Sequence, residues 1–162
     1  LLLTDRGGKE PWVLVTMYGE TLLLTNGVVG MMKVLFERTR PFVYNDDPAI
    51  PSSLKQSRFA RRSFPSGHTA NAFAGSVFLS VTYDRLYPES RASGWIWAGS
   101  LAAASTVGYL RYAAGRHFPT DIVAGAAIGA LIGWLVPELH EIDPESGTEA
   151  NPPPLMVFSF SF

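Results

Sequence analysis

Apolar residues fall into four long blocks separated by polar stretches rich in proline and glycine. Residues 12–32 carry one charge, Glu20, and predict a helix. Residues 33–62 are polar and rich in Arg, Lys, Pro and Ser, which predicts a long loop with short helical turns. A loop of that length inside a compact domain is usually functional or disordered. A second helix is expected just after Pro65-Ser66-Gly67, running to about Tyr83. Asp84 to Ser93 contains Pro88 and is followed by Gly94, so it reads as a turn before a third helix from about Trp95 to Tyr112. Proline suits the first helical position, so a fourth helix is expected from Pro119, ending at Pro137. Gly125, Gly129 and Gly133 recur every four residues on one face of it. Such a small-residue stripe packs helices closely in membranes and in tight soluble bundles. Glu141 to Pro154 is acidic and Pro-rich, and Leu155 to Phe162 alternates weakly, as a strand would. The expected organisation is a lead-in over 1–11, a helical core over 12–140 and a tail over 141–162.

An up-down-up-down arrangement of these four helices gives an all-α, antiparallel bundle. Helix one then ends where helix two begins, helix three ends at the same level, and helix four begins there. The conspicuous polar residues gather at that shared end. Lys33 and Arg40 follow helix one, Ser66 and His68 open helix two, Arg111 closes helix three, and His117 and Asp121 open helix four.

A phosphate dianion needs fixed cations and donors. Arg offers a planar fork and Lys a point charge. A helix N-terminus adds free N–H groups and a favourable dipole. Lys33, Arg40 and Arg111 supply three cations, and Gly67 lets the backbone approach an anion closely. Taken singly, each is ordinary: a cation after a helix favours the dipole, and Pro-Ser-Gly is a capped turn. Arg38, Arg58, Arg61 and Arg62 are read that way, with room for one or two at the rim of the site. Of the three histidines, His140 lies in the polar exit after Pro137 and reads as surface. His117 and Asp121 are four apart. A carboxylate there can accept a proton from one imidazole nitrogen and leave the other as a nucleophile. His68 is placed to protonate a leaving oxygen.

Composition narrows the classes. With 162 residues the chain fits one domain, and a net charge of −1 implies no nucleic-acid partner. The absence of cysteine excludes disulfides, thiolate catalysis and cysteine-based zinc sites. The first residue is Leu1, so the chain reads as a mature form or a piece of a longer one. A spanning helix needs roughly 20 apolar residues. Ala92 to Leu110 carries no charge, while Asn26, Glu20 and Asn71 interrupt other helices. That mixture fits a soluble bundle or a membrane bundle with polar faces turned inward. The glycine stripe and the short turn after helix two favour the membrane.

The spacing resembles the three signatures of the type-2 phosphatidic acid phosphatase and vanadium haloperoxidase superfamily. Lys33, six residues, then Arg40-Pro41 is similar to the first, Pro65-Ser66-Gly67-His68 to the second, and Arg111, five residues, His117, three residues, Asp121 to the third. The match covers about ninety residues in order. Leu110 stands where the family usually has Ser, and only one helix precedes Lys33 in a family whose core typically has six.

The resemblance implies a phosphatase with no metal and no other cofactor. In it, Lys33, Arg40, Ser66, Gly67 and Arg111 hold the phosphate, His117 attacks phosphorus, Asp121 orients His117, and His68 serves the leaving group and then water. The implied substrate is a phosphorylated lipid or small phosphate ester. The implied setting is a bacterial-type envelope membrane, with the site facing the periplasm or the outside. A soluble periplasmic acid phosphatase, a vanadate-dependent haloperoxidase and a non-catalytic anion-binding bundle remain the alternatives.

Overall fold

A computed structural model describes residues 10–140. The expected tail over 141–162, its strand-like end and most of the lead-in lie outside the described residues. Four long helices carry the fold: α1, Glu10–Phe36; α3, Gly67–Leu86; α4, Ser93–Ala113; and α5, Pro119–Leu139. The loop after α1 contains the single-turn helix α2, Ser52–Lys55, and two 3₁₀ turns at Pro41–Tyr44 and Arg58–Arg61. No strand occurs among the described residues.

The bundle is all-α, and sequential long helices run in opposite directions. Its tightest contact, however, joins α3 to α5, which are parallel. A Cβ added at Gly125 would lie 2.5 Å from the Ser66 carbonyl oxygen, at Gly129 2.0 Å from that of Ala70, and at Gly133 2.4 Å from that of Ala74. Both series advance by four residues, so each turn of α5 rests on one turn of α3 with no side chain between the backbones. The glycine stripe therefore sets the distance between the two helices that open at the shared end. α1 and α4 flank this pair, each packed on α3.

The face of α1 turned to the bundle is equally regular. Met17, Thr21, Thr25 and Val29 are buried at intervals of four, and Lys33 continues the line. That spacing carries Lys33 to the start of α3. Met17 joins Phe78, Ile132 and Val136 in the apolar core. Much of the remaining interior is small and hydroxylated: Ser63, Ser66, Thr69 and Ser80 are fully buried. Large apolar side chains face outward instead, among them Trp12, Leu23 and Leu35 on α1, Trp95 and Tyr109 on α4, and Val123 and Leu131 on α5. The stretch Pro11–Tyr44 and α5 are long and apolar enough to cross a membrane.

One boundary differs from expectation. α5 continues through Pro137 to Leu139. Proline forfeits only its own N–H bond and crowds the carbonyl four residues back, a small loss in a last turn. Arg85 holds that turn in place. It donates from Nη1 to the Pro137 carbonyl at 2.7 Å and pairs with Glu138 at 2.5 Å.

Candidate active site

The shared end of the bundle collects the residues named by the signatures. Lys33 closes α1, and its Nζ lies 3.1 Å from where a Gly67 Cβ would sit. Gly67 opens α3, so the ammonium lies beside the first turn of that helix, whose N–H groups lack intrahelical partners. A side chain at Gly67 would crowd the lysine and Val29.

Arg40 follows in extended backbone and is 4% exposed. Its Nε donates to the Phe59 carbonyl at 2.9 Å, Nη1 to that of Arg116 at 3.2 Å, and Nη2 to that of Arg62 at 3.0 Å. Its guanidinium carbon lies 3.8 Å from the centre of the Phe59 ring. Nη1 also faces His117 Nε2 at 3.4 Å. A guanidinium has five N–H donors and no acceptor. Three go to carbonyls and one points at His117, which leaves a single N–H on Nη2 for a ligand. Because the guanidinium only donates, His117 Nε2 must present a lone pair to it. Arg40 is thus as much a clamp for the loop as a phosphate ligand.

His117 lies in the link between α4 and α5 and is 1% exposed. Gly115, at φ 62°, makes the turn possible, since L side chains strain in that region. The Arg116 N–H bonds back to the Arg111 carbonyl at 3.1 Å, which closes α4 and brings the backbones of the two segments together. Burial pulls the His117 pKa down to about 4, Arg40 and Lys33 add to the fall, and Asp121 and the Ser63 carbonyl oppose it. The imidazole is accordingly neutral at physiological pH.

Asp121 is fully buried in the first turn of α5. Its Oδ1 accepts from Arg38 Nη1 at 2.7 Å, and its Oδ2 from Ser63 Oγ at 2.5 Å and the Phe118 N–H at 2.9 Å. Oδ2 stands 3.6 Å from His117 Nδ1, within ion-pair range but beyond a hydrogen bond. Nδ1 makes no hydrogen bond of good geometry among the described residues, the Ser63 carbonyl acting on the ring without closing one. The expected Asp121–His117 pair is therefore adjacent but not closed. The Asp121 carbonyl takes the Ser66 N–H at 2.9 Å, which ties the starts of α5 and α3 together.

Ser66 is fully buried, and its hydroxyl shares a 2.8 Å hydrogen bond with Thr69. A direct phosphate contact would need that hydroxyl to turn away from Thr69. Arg111 closes α4, and its buried Nε has no partner among the described residues. His68 is exposed. Partial burial, then the charges of Arg111, Lys33 and Arg40, lower its pKa.

Four contributors escaped the sequence reading. Arg38, read there as a surface charge, is the ion-pair partner of Asp121 and also donates to Thr120 Oγ1 at 2.7 Å. Ser63 binds the same carboxylate, Phe59 supports Arg40, and Gly115 turns the chain toward His117. Only Gly115 left a signal, a glycine inside the Arg111–His117 spacing. The others are joined to their partners through space. Leu110, at the family's usual Ser position, is exposed.

Comparison with known proteins identifies the family. The family model described as the PAP2 superfamily matches residues 14–143. The chain is similar to a lipid A 1-phosphatase of Porphyromonas gingivalis, 32% identical over 114 residues, covering 70% of this chain and 21% of that protein. It is similar to an undecaprenyl-diphosphatase of Sulfolobus acidocaldarius, 28% identical over 112 residues, covering 69% of this chain and 48% of that protein. The chain thus spans less than half the length of these two relatives. Among solved structures, LpxE of Aquifex aeolicus aligns with a TM-score of 0.61 at 31% identity, over 77% of this chain and 67% of that one. A transmembrane PAP2 type phosphatidylglycerolphosphate phosphatase from Bacillus subtilis aligns with a TM-score of 0.58 at 26% identity, over 78% of this chain and 57% of that one.

Proposed function

The chain belongs to the PAP2 superfamily, and on that footing we propose that it hydrolyses phosphate monoesters or diphosphates of membrane lipids through a phosphohistidine. The observation that carries this reading is the buried His117 with its Nε2 3.4 Å from Arg40 Nη1, near Lys33 and an Arg111 whose buried Nε has no partner among the described residues.

The phosphoryl group is held by Lys33, by Arg111, by the remaining N–H of Arg40 and by the amides that begin with Gly67. Ser66 supports them by tying α3 to Asp121. The Nε2 lone pair attacks phosphorus while the P–O bond to the lipid breaks. The electron pair leaves on oxygen and takes a proton from His68, whose imidazolium form is favoured by the charge of the bound phosphate dianion. The cations stabilise charge on the transferred group, which is the main demand of phosphoryl transfer. Asp121, itself neutralised by Arg38, favours the imidazolium character that His117 gains as its Nε2 bonds to phosphorus. Neutral His68 then takes a proton from water, the resulting oxygen attacks phosphorus, the P–N bond breaks, and phosphate departs.

A membrane setting is supported by the outward-facing apolar side chains and by the length of α5. Its 21 residues span about 31 Å, close to the roughly 30 Å of a bilayer's hydrocarbon core. The substrate class follows the named relatives, which act on lipid A and on undecaprenyl diphosphate. By the family resemblance the site end faces the periplasm or the outside.

Phosphate release from a panel of lipid monophosphates, lipid diphosphates and soluble aryl phosphate tests the reading. His117→Ala is expected to abolish it while His140→Gln does not. Wild-type turnover in His117→Ala would remove the proposed nucleophile.

A further inference from the structure

The site holds more positive charge than one phosphoryl group requires. Lys33, Arg40 and Arg111 already surround the attacked phosphate. Two further arginines flank Arg40 and are bound to it through their own backbones. Arg62 accepts from Arg40 Nη2 at 3.0 Å, and Arg116 accepts from Nη1 at 3.2 Å. Their side chains take no part in any ion pair among the described residues, where the acidic partners go to Arg38, Arg85, His117 and His140.

Both side-chain charges act on the site. The Arg116 guanidinium carbon lies 5.6 Å from the centre of the Phe59 ring, the ring that carries Arg40 at 3.8 Å. Arg116 repels Arg40, and Arg62, which is exposed, repels Lys33. Arg62 and Arg116 thus flank Arg40 through their backbones, with the Arg116 guanidinium near the ring that carries Arg40, and the buried carboxylate of this region, Asp121, is already matched by Arg38 among the described residues. A phosphate monoester brings roughly −1.5 to −2 charges. A diphosphate ester brings more, on a second phosphoryl group one bridging oxygen from the first. Arg40 has one N–H left, so it cannot serve both groups. The donors for the second must come from its neighbours.

We propose that Arg62 and Arg116 form a second anion subsite beside the catalytic phosphate pocket, and that the preferred substrate is a diphosphate ester. The proposal rests on the phosphatase reading above. His117 Nε2 attacks the terminal phosphorus, the bond from that phosphorus to the bridging oxygen breaks, and the electron pair leaves with the lipid monophosphate. That product keeps its remaining phosphoryl group against Arg62 and Arg116 until it dissociates. Arginine suits this task because its fork matches two phosphate oxygens at once.

The test compares an isoprenyl diphosphate with the isoprenyl monophosphate of equal chain length, each in neutral detergent micelles. The measured quantity is the ratio of their kcat/KM values. The wild type is expected to favour the diphosphate by at least about tenfold, and Arg62→Gln and Arg116→Gln each to lower that ratio by about tenfold, the loss of a charged hydrogen bond. Arg62→Lys is expected to recover part of it. A wild type with no preference, or variants that lose equally on both substrates, would overturn the subsite. If either Gln variant is inactive on both, the matching Lys variant decides, since an unchanged ratio there overturns the subsite and a lowered one supports it. Wild-type protein inactive on every phosphate would instead overturn the phosphatase reading itself.

Discussion

Replacing Gly125 by Ala tests whether helix spacing sets the geometry of the site. The new Cβ would lie 2.5 Å from the Ser66 carbonyl oxygen. A close C–H···O contact needs about 3.3 Å, so the helices must part locally by roughly 0.8 Å. Overpacking of this kind costs about 1–3 kcal/mol. Gly133→Ala is the matched control, since its Cβ would lie 2.4 Å from the Ala74 carbonyl oxygen. The two clashes are nearly equal, but their distances from the chemistry are not. Gly125 is one turn from Asp121, about 6 Å along the axis, whereas Gly133 is about 18 Å away. Only the first displaces Asp121 relative to Ser66, Gly67 and Lys33. A misplacement near 1 Å can cost about 100-fold in rate. Both variants should therefore lose similar amounts of thermal stability, while Gly125→Ala should lose far more kcat. The assay pairs thermal unfolding with initial rates of phosphate release in detergent micelles. Equal kcat losses, or a destabilised Gly125→Ala with wild-type kcat, would refute the reasoning.

The pH dependence follows from His117. Its free-enzyme pKa near 4 places the acid limb of kcat/KM at about that pH, rather than near the ordinary histidine value of 6.5. A bound phosphate dianion favours the imidazolium, so the acid limb of kcat should lie higher than that of kcat/KM. Paired pH profiles check both. The same group ties stability to pH. Between 6.5 and about 4 the unfolded chain binds this proton and the folded chain does not, so the His117 contribution is complete above 6.5 and declines as pH falls toward 4. Arg38→Gln should leave Asp121 less neutralised and so raise the His117 pKa, moving the acid limb upward; an unmoved limb would show that Arg38 acts on stability alone. Breaking a buried pair costs about 3–5 kcal/mol, but the Arg38 side chain is 38% exposed, so a loss of about 1–2 kcal/mol in denaturation is expected.

The helices were readable from the chain because their signals are local. Charge-free blocks, Pro119 at a first turn and Gly67 before an apolar run mark where α1, α3, α4 and α5 lie, with ends shifted by a few residues. The end of α5 was misjudged at Pro137 because its support comes from Arg85, 52 residues earlier. Lys33, Arg40, His68, Arg111, His117 and Asp121 were legible together, since each sits at or near a helix end and the ends must meet.

Helix ends and signature spacing together were enough to name six polar residues and the end of the bundle where they gather. How those residues divide the work depended on contacts across the fold. Arg38 and Ser63 reach Asp121 over 83 and 58 residues of chain, and Arg40 spends three donors on carbonyls 19 to 76 residues away. No periodicity encodes such partners, because a hydrogen bond is fixed by distance and direction in space. The glycine stripe shows the same division. Its four-residue period is written in the sequence, but the parallel partner α3, and hence the spacing it imposes on the site, exists only once the chain has packed.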